Sequence, residues 1–188
     1  MTRRSRWGLV GGAVALVLVG AWLAVGLVPR IGVGAFAQLD LESVDAEDTW
    51  PDEVPMSMVV DPSDSTYDGM WTFQNEGVLP VTVRLAEHEK PSDLHWEALL
   101  HPYDERHNVV GKASDTVMLA AGGGLAVTFS WGPGCAPVAA GTTMSTGSVR
   151  LAVTTLGLTR VVTADARELV AFSHTEDFVP PSACDDVG

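Results

Sequence analysis

An uncharged apolar run near the N-terminus constrains this chain more than any other feature. Residues 7–28 consist mainly of Val, Leu, Ala and Gly and contain no charged side chain. A helix of that length, at about 1.5 Å per residue, measures about 33 Å and can cross a hydrocarbon core of about 30 Å. Three arginines precede the run, and no acidic residue precedes Asp40. We therefore predict a cytoplasmic N-terminus at 1–6, a transmembrane signal anchor at 7–28 and an extracytoplasmic remainder in the plasma membrane of the cell.

A cleavable export signal is the alternative to a retained anchor. Ala35-Phe36-Ala37 has the small-x-small form of a signal peptidase site, and Thr2-Arg3-Arg4 is similar to a twin-arginine start. Arg6, however, stands where the twin-arginine pattern has an apolar residue. The apolar run also exceeds the usual 7–15 residues or so of a signal sequence. We favour the retained anchor over cleavage after Ala37, and both interpretations export the rest of the chain.

Charge is strongly segregated along the sequence. The chain carries a net charge of −13, and all 24 acidic residues lie from Asp40 onward. Four of the 11 basic residues lie at or before Arg30, so seven remain in the exported part. Nucleic-acid binding is disfavoured, because phosphate recognition needs clustered Lys and Arg. The acidity favours solubility in the envelope, and attraction of a cationic partner or of divalent ions is the alternative.

The two cysteines, Cys135 and Cys184, both lie in the exported part. An even pair in one small domain of an oxidising compartment favours a disulfide. This bond would join the C-terminal tail to the loop around Gly132-Pro-Gly134. A redox role is disfavoured because the chain has no Cys-x-x-Cys motif.

Beyond the anchor, apolar residues alternate with polar ones at the period of a β-strand. We expect a juxtamembrane stalk at 29–52, with a short strand near Leu39–Val44, a β-sandwich domain at 53–176 and a tail at 177–188. Strands without intervening helices predict an all-β, immunoglobulin-like antiparallel β-sandwich of seven to nine strands. The predicted strands are Val54–Val60, Tyr67–Phe73, Val81–Leu85, Leu94–Leu100, Thr116–Ala120, Leu125–Trp131, Val149–Val153, Leu158–Thr163 and Leu169–His174.

Turn chemistry at Asn75-Glu-Gly77 separates two of these strands, and we predict that Tyr67–Phe73 and Val81–Leu85 form a β-hairpin. Aromatic side chains recur at the inward positions of the alternation. We expect them to fill the core rather than to line a ligand site. These side chains are Trp71, Phe73, Trp96, Phe129 and Trp131.

The segments from Trp71 to Val83 and from Cys135 to Gly141, behind a single anchor, resemble small envelope proteins of high-GC Gram-positive bacteria. The resemblance implies an immunoglobulin-like ectodomain and no assigned activity. It offers no catalytic residues to transfer to this chain.

The sequence contains none of the common catalytic signatures. Gly-x-Ser-x-Gly, Ser-x-x-Lys, His-Glu-x-x-His and phosphate-binding glycine loops are all missing. We therefore expect no enzyme activity and no cofactor. A hydrolase built from scattered carboxylates is the least favoured alternative.

A metal-binding domain is the main alternative function. Imidazole and thioether ligands suit copper, and His88 and His95 would approach each other if 89–93 formed a hairpin loop. Met56 and Met58 could add soft sulfur ligands. We expect solvated histidines instead, at His88 and His95 as at His101, His107 and His174.

Two further motifs give weaker signals, one for calcium binding and one for helix dimerisation. Asp64, Thr66, Asp68 and Gly69 follow the start of a calcium loop, but Asn75 stands where the loop needs a bidentate Glu, so an acidic turn before a strand is favoured. Gly8-x-x-x-Gly12 has the spacing of a helix dimerisation motif, and self-association stays open. The leading prediction is a non-catalytic interaction or structural module of the envelope with an unidentified protein partner.

Overall fold

The computed structural model describes residues 14–24, 28–39, 56–61, 66–86, 94–104, 109–134 and 136–179. Residues 14–24 are helical, and all of their side chains are exposed. No helix within these ranges has the length and apolar character to cross a membrane. The predicted 7–28 segment is described at 14–24 and at Val28, and its other residues lie outside the described ranges.

Nine β-strands make up most of the described chain, and they confirm the all-β prediction. Six of them, β2 to β7, coincide with predicted strands to within three residues at each end, and β8 begins six residues earlier than predicted. By contrast, β1 lies in the predicted stalk and β9 joins two predicted strands into one. The strands are β1 Ile31–Leu39, β2 Met56–Val60, β3 Tyr67–Asn75, β4 Val81–Leu85, β5 Leu94–Tyr103, β6 Thr116–Leu119, β7 Gly124–Pro133, β8 Thr143–Thr155 and β9 Leu158–Ser173.

The strands form two sheets. One has four strands in the order β1-β3-β7-β5, and the other has five in the order β2-β9-β8-β4-β6. All neighbours are antiparallel except β2 and β9, which run parallel from Met56 opposite Leu169. The order of β1, β3, β7 and β5 is that of strands A, B, E and D in an immunoglobulin sandwich, and β4, β8 and β9 take the places of C, F and G. The shorter β2 and β6 extend the edges of the second sheet.

The core lies between the two sheets and is filled largely by aromatic rings. The Trp131 and Phe172 rings, one from each sheet, stack with centroids 4.3 Å apart. Trp71 and Phe129 meet within the four-stranded sheet at 4.4 Å. The sequence prediction of an aromatic core is confirmed for Trp71, Phe73, Phe129 and Trp131, which are all buried. The Trp96 side chain is not among those described.

The predicted hairpin of Tyr67–Phe73 with Val81–Leu85 is wrong. β3 and β4 belong to different sheets, so the Glu76–Pro80 connection crosses from one layer to the other. Alternation along a strand identifies the face that is buried, but it does not identify the strand that lies beside it. Each of the two strands buries the same set of its own residues whether it pairs with the other in a hairpin or lies in the opposite sheet.

The predicted stalk also differs from the structure at its start. Residues 31–39 form β1, an edge strand that pairs with β3 from Ile31 opposite Asn75 to Leu39 opposite Gly69. The glycines at 32 and 34, which suggested a linker, instead allow a close approach, because a Cβ on Gly34 would overlap Thr72. The predicted strand near Leu39–Val44 is described only at Leu39.

Candidate functional site

The sandwich has two ends with different chemistry. The entry end is the end at which residues 28–30 lead into β1, and it also contains the Glu76–Pro80 connection, the 120–123 turn and the Leu156–Gly157 turn. The far end contains the ends of β2 and β9, the start of β8 and residues 134–142. These definitions follow from the strand registers.

Asn75 organises the entry end. Its buried side-chain amide donates to the carbonyls of Leu79 at 2.8 Å and Ala120 at 2.9 Å, and its Oδ1 accepts from the Gly77 amide at 3.0 Å. An Asx turn of this kind is the usual role of Asn before Gly. One side chain thus joins the end of β3 to two separate loops. The chain entering the domain is held beside it, because the Glu76 amide donates to the Arg30 carbonyl at 2.9 Å.

A cavity of about 320 Å³ opens between residues 75–81, the end of β8 at Thr155 and the residues that lead into β1. This volume lies at the lower end of the range for small-molecule sites. Apolar side chains dominate its wall, and Arg30 and Glu76 are its charged residues. The lining residues are Ala24, Val28, Pro29, Arg30, Asn75, Glu76, Gly77, Val78, Leu79, Val81 and Thr155.

Thr155 gives this apolar cavity one polar group without a protein partner. The residue is 3% exposed, and its Oγ1 makes no hydrogen bond within the described part of the chain. Thr154, its neighbour on the opposite face of β8, hydrogen-bonds the Thr159 hydroxyl at 2.7 Å. A buried hydroxyl without a partner costs free energy, commonly about 1–3 kcal/mol. The Thr155 hydroxyl lies just beneath the cavity surface, because its oxygen is fully buried, and it is the group beside the cavity most in need of a hydrogen-bond partner.

Two apolar side chains project from the entry end. Val78 is 83% exposed, and Leu156 is 46% exposed. Leu156 also has φ of 51°, followed by Gly157 at 81°, so both central residues of the β8–β9 turn are left-handed. Asn or Gly usually occupies the first position of such a turn. A leucine there is unfavourable in backbone conformation and in exposure to water.

The far end carries a buried histidine and several carboxylates. His174 is 2% exposed, its ring lies 5.3 Å from that of Phe178, and its Nε2 has no partner among the described atoms. The expectation of a solvated histidine is therefore wrong for His174, which follows directly on β9 and packs beneath residues 138–142. His101 is half-buried and lies 3.1 Å from the Thr128 hydroxyl through its Nε2.

Asp61 fixes the chain beside His174. Its carboxylate accepts hydrogen bonds from the amide and the hydroxyl of Thr175. These bonds, first the one from the hydroxyl, hold the pKa of Asp61 below its ordinary value. The exposed carboxylate is therefore ionised at neutral pH. Its partners are protein groups, and Asp61 serves as a cap rather than as a metal ligand.

The residues proposed for a metal site are only partly described. His88 lies outside the described ranges, as do the side chains of His95 and Met56, whereas Met58 is half-buried in β2. The hairpin invoked to join His88 and His95 does not form, because β4 and β5 lie in different sheets. No group of three potential metal ligands occurs among the described side chains. A metal site at His88 and His95 stays the disfavoured alternative to solvated histidines.

The calcium-loop interpretation conflicts with the start of β3. Asp68 and Gly69 lie in this extended strand, which begins at Tyr67, whereas a calcium loop needs them in a tight turn. The favoured alternative, an acidic segment leading into a strand, is confirmed for Tyr67 onward. Asp64 and the Gly8–Gly12 motif lie outside the described residues.

Cys135 and Cys184 lie outside the described residues, but their neighbours are paired. Val138 and Phe178 exchange two backbone hydrogen bonds, at 3.1 and 2.8 Å. Val138 follows Cys135 by three residues, and Phe178 precedes Cys184 by six. The described start of the tail, at Phe178, and the segment that follows Cys135, at Val138, therefore run beside each other.

Sequence reasoning missed two residues of the entry end. The sequence predicts a turn at Asn75, but it does not predict that the Asn75 side chain would hold two loops by hydrogen bonds. Asn-x-Gly at the end of a strand is the signature of an Asx turn, in which the side chain bonds the backbone. Thr155 ends an alternating run of Val149, Leu151 and Val153, so its burial could have been found by extending the period by one step. The lack of a hydrogen-bond partner for Thr155 could not have been found in the same way, because it depends on which loops pack around this residue.

Comparisons with known proteins add nothing to these geometric findings. No protein-family model matches the chain, and no curated protein matches it. The N-terminal domain of PorA is 13% identical over 79% of this chain and 99% of its own, with a TM-score of 0.33. The ASH/PapD-like domain 7 of human CEP192 is 12% identical over 63% of this chain and 81% of its own, with a TM-score of 0.30. Similarity at this level carries no argument about function.

Proposed function

We propose that this protein is a membrane-anchored, extracytoplasmic β-sandwich module that serves the cell envelope as a non-catalytic interaction or structural protein. The observation that carries the proposal is the direct connection of the apolar N-terminal segment to the sandwich. Residues 28–30 lead without a linker into β1, and Arg30 is hydrogen-bonded to Glu76. An anchor joined in this way holds the entry end towards the bilayer and the far end away from it.

The position of Ala35–Ala37 supports retention of the anchor. Ala37 lies opposite Trp71 in β1, and the Ala35 carbonyl accepts a hydrogen bond from Arg167 Nη1 at 2.8 Å. Cleavage after Ala37 would remove most of an edge strand and would expose the hydrogen-bonding edge of β3. A retained segment avoids both costs.

The outer edge of β5 offers a place for a protein partner. Residues 100–103 of this edge are covered by bridges from Ser114 and Val109, whereas no described strand pairs with the outer edge of 94–99. An extended segment of another protein can add to an open edge through main-chain hydrogen bonds. We propose that an envelope protein binds there, beside the exposed Leu99.

Protease accessibility tests the membrane topology. In intact protoplasts, an added protease should digest the sandwich, and an N-terminal fragment that contains 7–28 should stay in the membrane. Inverted vesicles serve as the control and should protect the sandwich. Digestion only in inverted vesicles would contradict the proposed orientation.

Site-specific crosslinking tests the partner surface. A photo-crosslinking amino acid at Leu99 should capture an extracytoplasmic protein in living cells. The same group at Met118, an exposed residue of β6, is the matched control and should capture much less of it. Equal capture from both positions would show that the open edge is not the binding surface.

A further inference from the structure

Three features of the entry-end cavity restrict the chemistry of a ligand that would fit it. Its wall is mainly apolar, its buried Thr155 hydroxyl lacks a hydrogen-bond partner, and Arg30 lies at its margin. A ligand that fits must present hydrocarbon to the wall and a hydrogen-bond acceptor to Thr155. This description is that of an amphiphile with an ester or carboxyl oxygen close to its hydrocarbon chain.

The surroundings of the cavity indicate where such an amphiphile comes from. The last described helical residue, Ala24, and the following Val28 both line the cavity, so its wall is continuous with the apolar N-terminal segment. Val78 and Leu156 project from the same end into solvent. Both features are favourable at the surface of a bilayer and unfavourable in water.

Charge distribution agrees with this orientation. The far end carries the carboxylates of Asp61, Glu176 and Asp177, which an anionic bilayer repels. The entry end carries two guanidinium groups, those of Arg30 and Arg160, which balance the carboxylates of Glu76 and Asp104. The entry end therefore meets phospholipid headgroups at a lower electrostatic cost than the far end.

We propose that the entry-end cavity binds a phospholipid of the membrane that holds the anchor, and that the Thr155 side chain turns its buried hydroxyl into the cavity to donate to an ester carbonyl of the lipid. An acyl chain then packs against Val28, Val78 and Leu79, and Arg30 lies on the headgroup side. The cavity accommodates the ester region and the first methylene groups rather than a whole lipid, in keeping with its volume. This inference rests on the proposed membrane anchoring.

Photolabelling of the full-length protein in nanodiscs tests the inference. The probe is a phosphatidylglycerol with a diazirine on the acyl chain near the ester, and adducts are mapped by peptide mass spectrometry. We expect adducts on the apolar N-terminal segment and a second set within 75–81 or at Thr155. Adducts on the N-terminal segment alone would overturn the cavity assignment and leave the anchoring intact. No adducts at either place would overturn both.

Two matched pairs of variants make the test specific. Thr155→Val keeps the shape of the side chain and should lower cavity labelling about three- to tenfold, as expected for one lost hydrogen bond. Thr154→Val is its control and should leave the labelling unchanged. Val78→Asp should also reduce cavity labelling, whereas Val179→Asp should not, although Val179 is 79% exposed at the far end.

Three results would overturn the lipid assignment. The first is unchanged cavity labelling in Thr155→Val, and the second is an equal reduction in Thr154→Val. The third is labelling of the cavity by a diazirine fatty acid when the phospholipid probe gives none, which would assign the site to a free fatty acid. Circular dichroism of each variant confirms that the sandwich is intact.

Discussion

The side-chain amide of Asn75 donates a hydrogen bond of 2.9 Å to the carbonyl of Ala120 and joins the end of β3 to the turn before β7. The same nitrogen bonds Leu79, so a single residue holds both loops of the entry end. The first of these loops, residues 76–80, forms one side of the entry-end cavity. The shape of the cavity therefore depends on the hydrogen bonds that the buried Asn75 amide makes to this loop.

Replacement of Asn75 should destabilise the fold. Asn75→Ala leaves the carbonyls of Leu79 and Ala120 and the Gly77 amide without their partner, and we expect a loss of about 3 kcal/mol in the free energy of unfolding. Urea denaturation of the full chain in detergent measures this loss. Gln74→Ala removes one exposed hydrogen bond, to Gly122, and should cost less than about 1 kcal/mol. Equal losses in the two variants would contradict the role of Asn75.

Replacement of Leu156 should stabilise the protein in detergent. Leu156 has φ of 51°, a conformation that costs most L-residues about 1–2 kcal/mol but that Asn tolerates. Leu156→Asn should therefore raise the free energy of unfolding by about 1 kcal/mol. Leu156→Ala retains the backbone cost and should give no such gain. A lower stability in Leu156→Asn would show that the leucine side chain contributes packing that its exposure does not reveal.

Much of the fold could be predicted from alternation alone. The strands β3, β4, β7 and β8 and the burial of Trp71 and Trp131 follow directly from the spacing of apolar residues. The assignment of strands to sheets could not be predicted, because β3 and β4 bury the same side chains in a hairpin or across the sandwich. The first strand, β1, was missed because its glycines, which resemble those of a linker, allow its close approach to β3.

The entry-end site could be predicted only in part. Asn75-Glu-Gly77 predicts a turn, but the hydrogen bond from the Asn75 side chain to Ala120 joins residues that are 45 apart in sequence. The isolation of the Thr155 hydroxyl likewise depends on which loops fold above it. Tertiary proximity of this kind has no local signal in the chain.

The hydrogen bonds of Asp61 should make stability depend on pH in acid. The folded state lowers the pKa of this carboxyl because the Thr175 hydroxyl and amide donate to its ionised form. Its contribution is therefore complete above the unfolded pKa of about 3.9 and is lost as the pH falls through the lower, folded value. Asp61→Asn should lower the Tm at pH 7, and its difference from the wild type should shrink below about pH 4. A difference that is equal at pH 7 and pH 3 would contradict this account.

The bridge between Val138 and Phe178, together with the proposed export, leads us to expect a Cys135–Cys184 disulfide. Closing a loop of about 50 residues should stabilise the fold by about 4 kcal/mol in the chain-entropy model. Alkylation of the denatured, unreduced protein should modify neither cysteine, and prior reduction should make both reactive. The single variants Cys135→Ser and Cys184→Ser should be as unstable as the double variant. Two reactive thiols before reduction would rule out the bond.

The mass of the mature protein in its native membrane tests whether the sandwich stays anchored. We expect the protein purified from the membrane fraction to retain residues 7–28 continuous with β1, with no species that begins after Ala37. Mass spectrometry of the intact chain and of its N-terminal peptide measures this. A mature chain that begins at Gln38 and is released from the membrane would contradict the anchor, the orientation of the entry end and the lipid site together.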